Sequence, residues 1–252
     1  MIQLKQLVEY CNALLCSDSF RDYSPNGLQI EGRPEIRKIV TGVTANQALI
    51  DAAVAQQADA LIVHHGFFWK NESPCITGIK HRRIAALVKN DISLIGYHLP
   101  LDAHPELGNN AQFAKLLGIH PQGRFGRTPG DDLAMYGSLS EAVSPLQLAS
   151  LIEEKLQRKP LFLEGRGDLI ERVAWCTGAA QGYIEQAAEL GVQAFISGEV
   201  SESTTHFSRE SGVHYFAAGH HATERGGVEK LGQHLAEKFG IENVFVDIKN
   251  PV

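Results

Sequence analysis

An apolar run that ends abruptly at two histidines constrains the fold of this chain more than any other feature. The run is Ala60-Leu-Ile-Val-His64-His65-Gly66. Consecutive apolar residues of this kind are typical of a strand buried on both faces, and the polar pair followed by glycine marks the carboxyl end of that strand. In an open α/β sheet, ligands bind at this end of the strands. The run therefore predicts a buried strand that ends either in a metal site or in two histidines that cap the strand and bond to loop carbonyls.

Helices and further strands alternate around this run. Apolar spacing predicts a helix over 3–15, a strand over 38–44, a helix over 46–58, a helix around 84–88 and a strand over 93–97. Residues 24–32 are typical of a turn, a short strand and a second turn, because Asn26-Gly27 permits a positive φ. This alternation predicts an α/β fold with a largely parallel sheet.

The second half of the chain repeats the order of the first. Its patterns predict a helix over 145–157, strands over 161–163 and 172–176, a helix over 181–190 and strands over 194–199 and 214–219. Residues 194–199 correspond to 60–65 with a constant offset of 134. In the same comparison, Thr177-Gly178 corresponds to Thr41-Gly42. The two halves are therefore expected to be structurally similar.

A stretch rich in glycine, proline and arginine lies between the two halves. Its residues 123–130 are typical of a connector. We therefore expect a first α/β repeat over residues 1–125 and a second over 126–252.

The composition narrows the class of protein. With 44% hydrophobic and 21% charged residues, the chain is predicted to be globular. A net charge of −6 disfavours broad affinity for nucleic acid while leaving room for a local basic patch. No stretch approaches the roughly 20 apolar residues of a membrane span, and the amino terminus lacks the apolar core of a secretory signal. Together with four cysteines that lack paired spacing, these features predict a cytoplasmic protein without membrane partners.

Residues that commonly bind metals recur at the ends of the other predicted strands. His98 and Asp102 follow the strand over 93–97, and His220 and Glu224 follow the strand over 214–219. Because His220 and Glu224 are four residues apart, they converge on one face of a helix that begins near His221. His221 faces elsewhere in such a helix.

Each of these residues also has an ordinary structural interpretation. An aspartate such as Asp102 can cap a helix or a turn, and a glutamate such as Glu224 can belong to a capping box or compensate a helix dipole. Their recurrence at equivalent strand ends favours a metal site. His98 either binds the metal or supports its ligands.

Three motifs together resemble the GTP cyclohydrolase 1 type 2 homologue family, the Nif-three-like dinuclear-metal-centre proteins. They are Val63-His-His-Gly-Phe-Phe-Trp69, Tyr97-His-Leu-Pro-Leu-Asp102 and Gly219-His-His-Ala-Thr-Glu-Arg-Gly-Gly227. The resemblance covers almost the whole chain. It implies two intertwined, structurally similar α/β repeats with mostly parallel, mixed sheets flanked by helices, and assembly into a ring-shaped homohexamer.

The same resemblance implies a paired metal site. Its ligands match His64, His65, Asp102, His220 and Glu224. The loop from Tyr23 to Gln29 departs from the Asp-Asn-x-Gly-Leu form of the family, because Pro25 stands where the acid usually lies. A role for that acid is therefore not expected at position 25.

Two divalent ions per subunit would suit a hydrolase. Ions roughly 3.5–4 Å apart lower the pKa of a bridging water and polarise a carbonyl, C=N or phosphoryl oxygen. Histidine and carboxylate ligands suit Zn, Fe, Mn, Co or Ni. We therefore predict a dinuclear-metal-dependent, GTP cyclohydrolase-like hydrolase of a nucleotide or other small heterocyclic or phosphate-bearing substrate, with Glu224 and His98 as catalytic residues. The alternative is a ring-shaped metal-binding regulatory or scaffold protein with protein or nucleic-acid partners.

Residues next to the predicted ligands could bind the substrate. Phe67 and Trp69 could stack on a planar base, although aromatic residues after a strand also pack in the core or in a lid. Arg225 could hold an anion on the metal. Lys80-His-Arg-Arg83 could contact phosphates, or it could simply be the solvated start of a helix.

Overall fold

The computed structural model describes residues 1–126 and 132–252. Its strands are β1 Ile2–Gln3, β2 Gly27–Ile30, β3 Glu35–Ile36, β4 Lys38–Thr44, β5 Ala60–His65, β6 Ser93–Gly96, β7 His120–Phe125, β8 Ala134–Val143, β9 Leu161–Leu163, β10 Ile170–Cys176, β11 Ala194–Ser197, β12 His214–Ala217 and β13 Glu242–Phe245. Its α-helices are α1 Leu4–Leu14, α2 Gln47–Ala55, α3 Gly78–Lys89, α4 Leu99–Ala103, α5 Asn109–Leu117, α6 Pro145–Leu156, α7 Ile184–Glu189, α8 Glu202–Ser211, α9 His220–Thr223 and α10 Arg225–Phe239. The predicted α/β class is confirmed.

The chain forms two compact units, one of residues 1–108 with 227–249 and the other of residues 109–226 with 250–252. This division differs from the expected boundary at 125/126. The difference arises because β7 pairs antiparallel with β8 in the second unit, and because the chain returns to the first unit after residue 226. Two segments of chain therefore build each unit.

The first unit contains a five-stranded sheet in the order β13-β4-β5-β6-β2. Strands β13, β4, β5 and β6 are parallel, and β2 is antiparallel to β6. Residues Ala60 to His64 of β5 are buried, as expected for a central strand of a parallel sheet. The carboxyl ends of β5 and β6 lie side by side, because Val63 is paired with Gly96.

The second unit contains a six-stranded sheet in the order β7-β8-β10-β11-β12-β9. Strands β10, β11 and β12 are parallel, with antiparallel β8 beside β10 and antiparallel β9 beside β12. Ile39 is paired with Ala60 in the first sheet, and Val173 with Ala194 in the second, so the offset of 134 predicted from the sequence holds across two strands.

The strand register corrects one correspondence. Gly42 is paired with Val63 and Cys176 with Ser197, so Cys176 is the counterpart of Gly42. Thr177-Gly178 therefore lies two residues further along than the predicted match to Thr41-Gly42. The difference matters because Gly178, unlike Gly42, has a positive φ of 71° and lies beyond the end of its strand.

The interpretation of residues 123–130 as a connector is corrected in part. Residues 123–125 belong to β7, while 127–131 lie outside the described residues. Glycine and proline in this stretch suggested a connector. However, β7 is an edge strand of its sheet, where a proline such as Pro121 is tolerated.

Several local predictions also shift. The predicted helix over 46–58 begins after Asn46, whose side chain accepts a hydrogen bond from the Leu49 N–H (2.9 Å), and it ends before Gln57, which has a φ of 54°. The predicted helix over 181–190 consists of a 3₁₀ turn at Gln181–Tyr183 followed by α7. Among the described residues, no helix is both long and apolar enough to cross a membrane.

Candidate metal centre

His64 ends the buried part of β5 and has a fixed imidazole. Its Nδ1 lies 2.9 Å from the carbonyl oxygen of Tyr97. Because a carbonyl only accepts, Nδ1 carries the proton and the lone pair lies on Nε2. That Nε2 atom is 3.5 Å from Oδ1 of Asp102, a buried carboxylate on α4. His64 and Asp102 therefore place one nitrogen and one oxygen ligand atom next to each other.

Two further imidazoles lie beside His64. The ring centroid of His65 is 4.5 Å from that of His64, and the centroid of His98 is 5.2 Å from it. The three residues each offer a ligand nitrogen within 4.8 Å of the others. His65 Nδ1 is 3.1 Å from the Thr44 hydroxyl, which fixes the direction of this ring as well. The first unit therefore contains a histidine cluster that could bind a metal ion.

His98 is held by the carboxylate of Asp22, which no sequence pattern predicted. Asp22 Oδ1 accepts from His98 Nδ1 at 2.6 Å, and Asp22 Oδ2 accepts from the Leu99 N–H at 2.9 Å. Asn26 Oδ1 accepts from the backbone N–H of His98 at 2.8 Å, and the Asn26 amide donates to Asp22 Oδ2 at 2.9 Å. The Asp22 side chain is only 3% exposed. Both the main chain and the ring of His98 are thereby fixed.

The pKa of Asp22 reflects this environment. Burial on its own would raise the pKa, but the hydrogen bond and charge of His98, followed by the hydrogen bonds of Asn26 and the Tyr23 N–H, lower it below its usual value. The loop that contains Pro25 thus has a buried carboxylate at position 22. An acid four residues before Asn26 is the signal that could have identified it.

In the second unit, His220 and Glu224 converge as their spacing predicts. His220 Nε2 lies 3.1 Å from Glu224 Oε2. The short helix α9 begins at His220 itself, and Glu224 follows its last residue. His220 Nδ1 lies 2.7 Å from Oε1 of Glu199, a second carboxylate that the sequence analysis did not assign to the site. The offset of 134 makes Glu199 the counterpart of His65, and this correspondence is the signal that could have identified it.

The two carboxylates determine the charge of His220. Burial on its own lowers its pKa, but the hydrogen bonds and charges of Glu224 and Glu199 raise it, and the resulting pKa is about 9. The metal-free imidazole is therefore protonated at neutral pH. A metal ion at Nε2 has to replace that proton.

Gly178 makes room for the Glu224 carboxylate. A Cβ atom at position 178 would collide with Glu224 Oε1 and would lie 3.4 Å from His220 Nε2. The Gly178 N–H donates to Oγ1 of Thr223 (3.1 Å), and the Gly178 carbonyl accepts from the Gly198 N–H (2.9 Å). The loop after β10 is thereby fixed against the segment that carries the candidate ligands.

The chemistry of these donors fits a divalent metal. Protein imidazoles that bind metals usually donate their second N–H to a carbonyl or carboxylate, which orients the ring and raises its basicity. His64 does so to the carbonyl of Tyr97, and His220 does so to the carboxylate of Glu199. The histidine and carboxylate groupings of both units could therefore bind metal ions.

Comparison with known proteins places the chain in a family. The model of the Duf34/NIF3 (NGG1p interacting factor 3) family matches residues 2–251. The chain belongs to this family. It is 56% identical over 250 residues to a Salmonella typhimurium protein named GTP cyclohydrolase 1 type 2 homolog, covering 99% of this chain and 98% of the relative.

Solved structures agree with the family assignment. One is protein ybgI, of unknown function, with a TM-score of 0.96, 53% identity and full coverage of both chains. Another is a protein from Thermus thermophilus, with a TM-score of 0.91, 33% identity and full coverage of both chains. The resemblance carried by the three sequence motifs is confirmed.

The aromatic residues after β5 of this NIF3-family protein differ in their positions. Phe67 is buried in the hydrophobic core of the first unit, so the packing alternative applies to it. The ring of Phe68 lies under Lys80 Nζ, 5.0 Å from its centroid. Trp69 is half-buried, and its ring centroid lies 5.0 Å from His98 and 5.8 Å from His65. Trp69 therefore contacts the histidine cluster directly.

The predicted cationic residues already have partners in the protein. Lys80 Nζ lies 3.3 Å from Glu72 Oε2 and 3.0 Å from the carbonyl oxygen of Ser73. Arg225 Nη2 donates to the carbonyl of Leu156 at 3.1 Å, which orients its guanidinium in the second unit. An anion that binds Lys80 or Arg225 therefore competes with these protein partners.

Proposed function

We propose that this NIF3-family protein is a dinuclear-metal-dependent hydrolase that acts on a nucleotide or another small heterocyclic or phosphate-bearing compound. The observation that carries the proposal is the orientation of the imidazoles. A carbonyl or carboxylate accepts from Nδ1 of His64, His98 and His220, which leaves each Nε2 atom for a metal ion or a reacting proton. The name of the Salmonella relative supports a nucleotide substrate.

Five residues would hold two divalent ions, and their ligand types suit Zn, Fe, Mn, Co or Ni. The proposed ligands are His64, His65, Asp102, His220 and Glu224. When bound, such ions supply a water of lowered pKa and a Lewis acid for the substrate.

The other residues of the site would bind the substrate and move protons. His98, oriented by Asp22, would accept or donate a proton at Nε2, and the Glu224 carboxylate would hold a proton of the attacking water. Trp69 would contact the substrate ring, and Arg225 would contact its negative charge. For a guanine nucleotide, water would add to C8 and the ring would open.

The enzyme proposal is tested by metal analysis followed by assays of nucleotides, phosphoesters and cyclic amides. Wild type loaded with each candidate metal should hydrolyse one of these classes, and Glu224→Ala should abolish the activity. Glu237→Ala, at an exposed position of α10, is the matched control and should keep it. If no compound is hydrolysed with any metal, and Glu224→Ala loses assembly instead, the protein is a metal-binding scaffold.

The ligand assignment has its own test. A His65→Ala/His220→Ala double variant should lose bound metal by elemental analysis, while a His120→Ala/His206→Ala double variant, which replaces two exposed histidines, should keep it. Full metal content in the first variant would contradict the assignment.

We also propose that the protein is cytoplasmic and assembles as a homohexameric ring. The net charge of −6 disfavours nucleic acid as its target. Light scattering coupled to gel filtration should give six times the mass of the 27.6 kDa chain. A monomer or dimer at micromolar concentration would contradict the ring.

A further inference from the structure

The segment that carries Asp22 also carries an exposed aromatic residue beside the histidine cluster. Tyr23 is 61% exposed, and its ring centroid lies 6.4 Å from that of His98 at an interplanar angle of 64°. Trp69 packs edge-on against the same imidazole, with a centroid distance of 5.0 Å and an angle of 81°. Two large aromatic rings from different loops therefore contact one histidine.

Hydrogen bonds fix the two loops relative to each other. The Lys70 N–H donates to the carbonyl oxygen of Tyr23 at 2.6 Å, which links the residue after Trp69 directly to Tyr23. Trp69 Nε1 donates to the carbonyl of Gly66 at 3.1 Å, so the indole has a defined orientation. The Tyr23 N–H donates to Asp22 Oδ1 at 2.6 Å. These bonds fix the indole of Trp69 and the backbone of Tyr23 beside the histidine cluster.

The chain geometry separates Trp69 from the aromatic residues before it. Phe68 has a φ of 65°, a value that is uncommon for a bulky side chain. Phe67 lies in the core on one side of this residue, and Trp69 lies at the imidazoles on the other. Single exposed aromatic residues are ordinary on protein surfaces. An exposed tyrosine linked to a fixed tryptophan beside three imidazoles is a more specific arrangement.

We propose that Tyr23 and Trp69 form a binding subsite for the planar heteroaromatic ring of the substrate. The inference rests on the proposed function and specifies its substrate as a compound with such a ring. Aromatic side chains bind planar rings by offset or edge-to-face packing, and they tolerate different bases because every base has a π-face. The ring of Tyr23, and not its hydroxyl, would supply the contact.

Tryptophan fluorescence gives a direct readout of this subsite. The chain has two tryptophans, and Trp175 is fully buried with its indole N–H bonded to the carbonyl of Asn110. Trp69 is therefore the residue that a ligand can quench, and Trp69→Phe should remove the response. Excitation at the red edge of tryptophan absorption avoids absorption by purines.

The probes are guanosine monophosphate, adenosine monophosphate and ribose 5-phosphate, each titrated into chelator-treated and metal-loaded protein. Both nucleotides should quench Trp69, and ribose 5-phosphate should not. Tyr23→Ala should weaken nucleotide binding roughly tenfold or more, and Tyr23→Phe should retain wild-type affinity. Ile79→Ala, which removes another exposed apolar side chain of the first unit, is the matched control and should bind as wild type. Circular dichroism checks that each variant is folded.

The outcomes separate this inference from the proposed function. Three results would each overturn the subsite. Folded Tyr23→Ala could bind nucleotides as wild type does, ribose 5-phosphate could bind as well as the nucleotides, or neither nucleotide could quench Trp69. Binding that depends on Tyr23 without hydrolysis by any metal-loaded form would leave the subsite in place and refute the hydrolase.

Discussion

His98 Nδ1 donates a hydrogen bond of 2.6 Å to Asp22 Oδ1, although the two residues are 76 positions apart in the chain. The carboxylate is buried and ionised, so it accepts and fixes the proton on Nδ1. In Asp22→Asn, the amide can donate to Nδ1 instead and so favours the other tautomer. We expect metal affinity or activity to fall by roughly 10–100-fold, as is typical for partners that orient metal-site imidazoles.

The tautomer can be measured directly by nitrogen NMR of the His98 ring in metal-free protein. Asp18→Asn, which changes an exposed aspartate of the same unit, should leave the ring and the metal affinity unchanged. If Asp22→Asn keeps the tautomer, the metal affinity and the activity of wild type, the orienting role is wrong.

Gly178→Ala should remove metal binding by the second unit. The added methyl group would collide with Glu224 Oε1, and alanine at a φ of 71° is itself strained by about 1 kcal/mol. Gly118→Ala separates these effects, because its φ of 68° is similar but no atom lies within 4 Å of a Cβ there. Both variants should lower the melting temperature, while only Gly178→Ala should lose metal in calorimetric titrations. Equal metal affinity in the two variants would contradict the steric argument.

The raised pKa of His220 makes the stability of the metal-free protein depend on pH. The pKa of His220 is 6.5 in the unfolded chain and about 9 in the folded protein, so protonation of His220 stabilises the folded state. This stabilisation is complete below pH 6.5 and is lost as the pH rises through 9. Glu199→Gln removes one of the charges that raise the pKa. It should therefore lower the melting temperature of chelator-treated protein most below pH 6.5 and least above pH 9.

Metal affinity should depend on the same titration of His220, but it should rise with pH where the stability contribution falls. The proton on Nε2 competes with the ion, so the affinity of wild type should rise from pH 6.5 towards pH 9, and Glu199→Gln should flatten this rise. Glu202→Gln is the matched control, because Glu202 forms a 2.7 Å pair with the exposed His206. A pH profile that is identical in Glu199→Gln and wild type would exclude Glu199 as the cause.

Much of the fold could be predicted because it depends on local patterns. The bounds of β4 and β5 coincide with the strands expected from the sequence, and α2 begins directly after the capping residue Asn46. The constant offset between the halves is also a sequence signal, and the ladder pairs Ile39–Ala60 and Val173–Ala194 confirm it. Candidate ligands could be identified because they follow strands whose ends lie together in a parallel sheet.

The remaining features depend on contacts between distant residues. Strand β7 has the composition of a turn, and only its pairing with β8 makes it a strand. Asp22 lies on no periodic pattern, and its role arises from the fold that brings it to His98. Phe67 and Trp69 are two residues apart, and the backbone turn at Phe68 between them decides which one enters the core.

Asp59 provides a test that separates the stability of the fold from the function of the site. Its buried carboxylate accepts from the backbone N–H groups of Arg37 (2.7 Å) and Lys38 (2.9 Å), and from Arg33 Nη1 (3.0 Å). The Arg33 side chain is 44% exposed, so the ion pair adds little, and the two backbone donors at the start of β4 account for most of the effect.

Asp59→Ala should lower the free energy of unfolding by about 2–4 kcal/mol, because it leaves these donors unsatisfied. Asp51→Ala, at an exposed position of α2, should change it by less than about 0.5 kcal/mol in urea titrations. Folded Asp59→Ala should keep the metal content of wild type, and a loss of metal without a loss of stability would show that this carboxylate acts on the site.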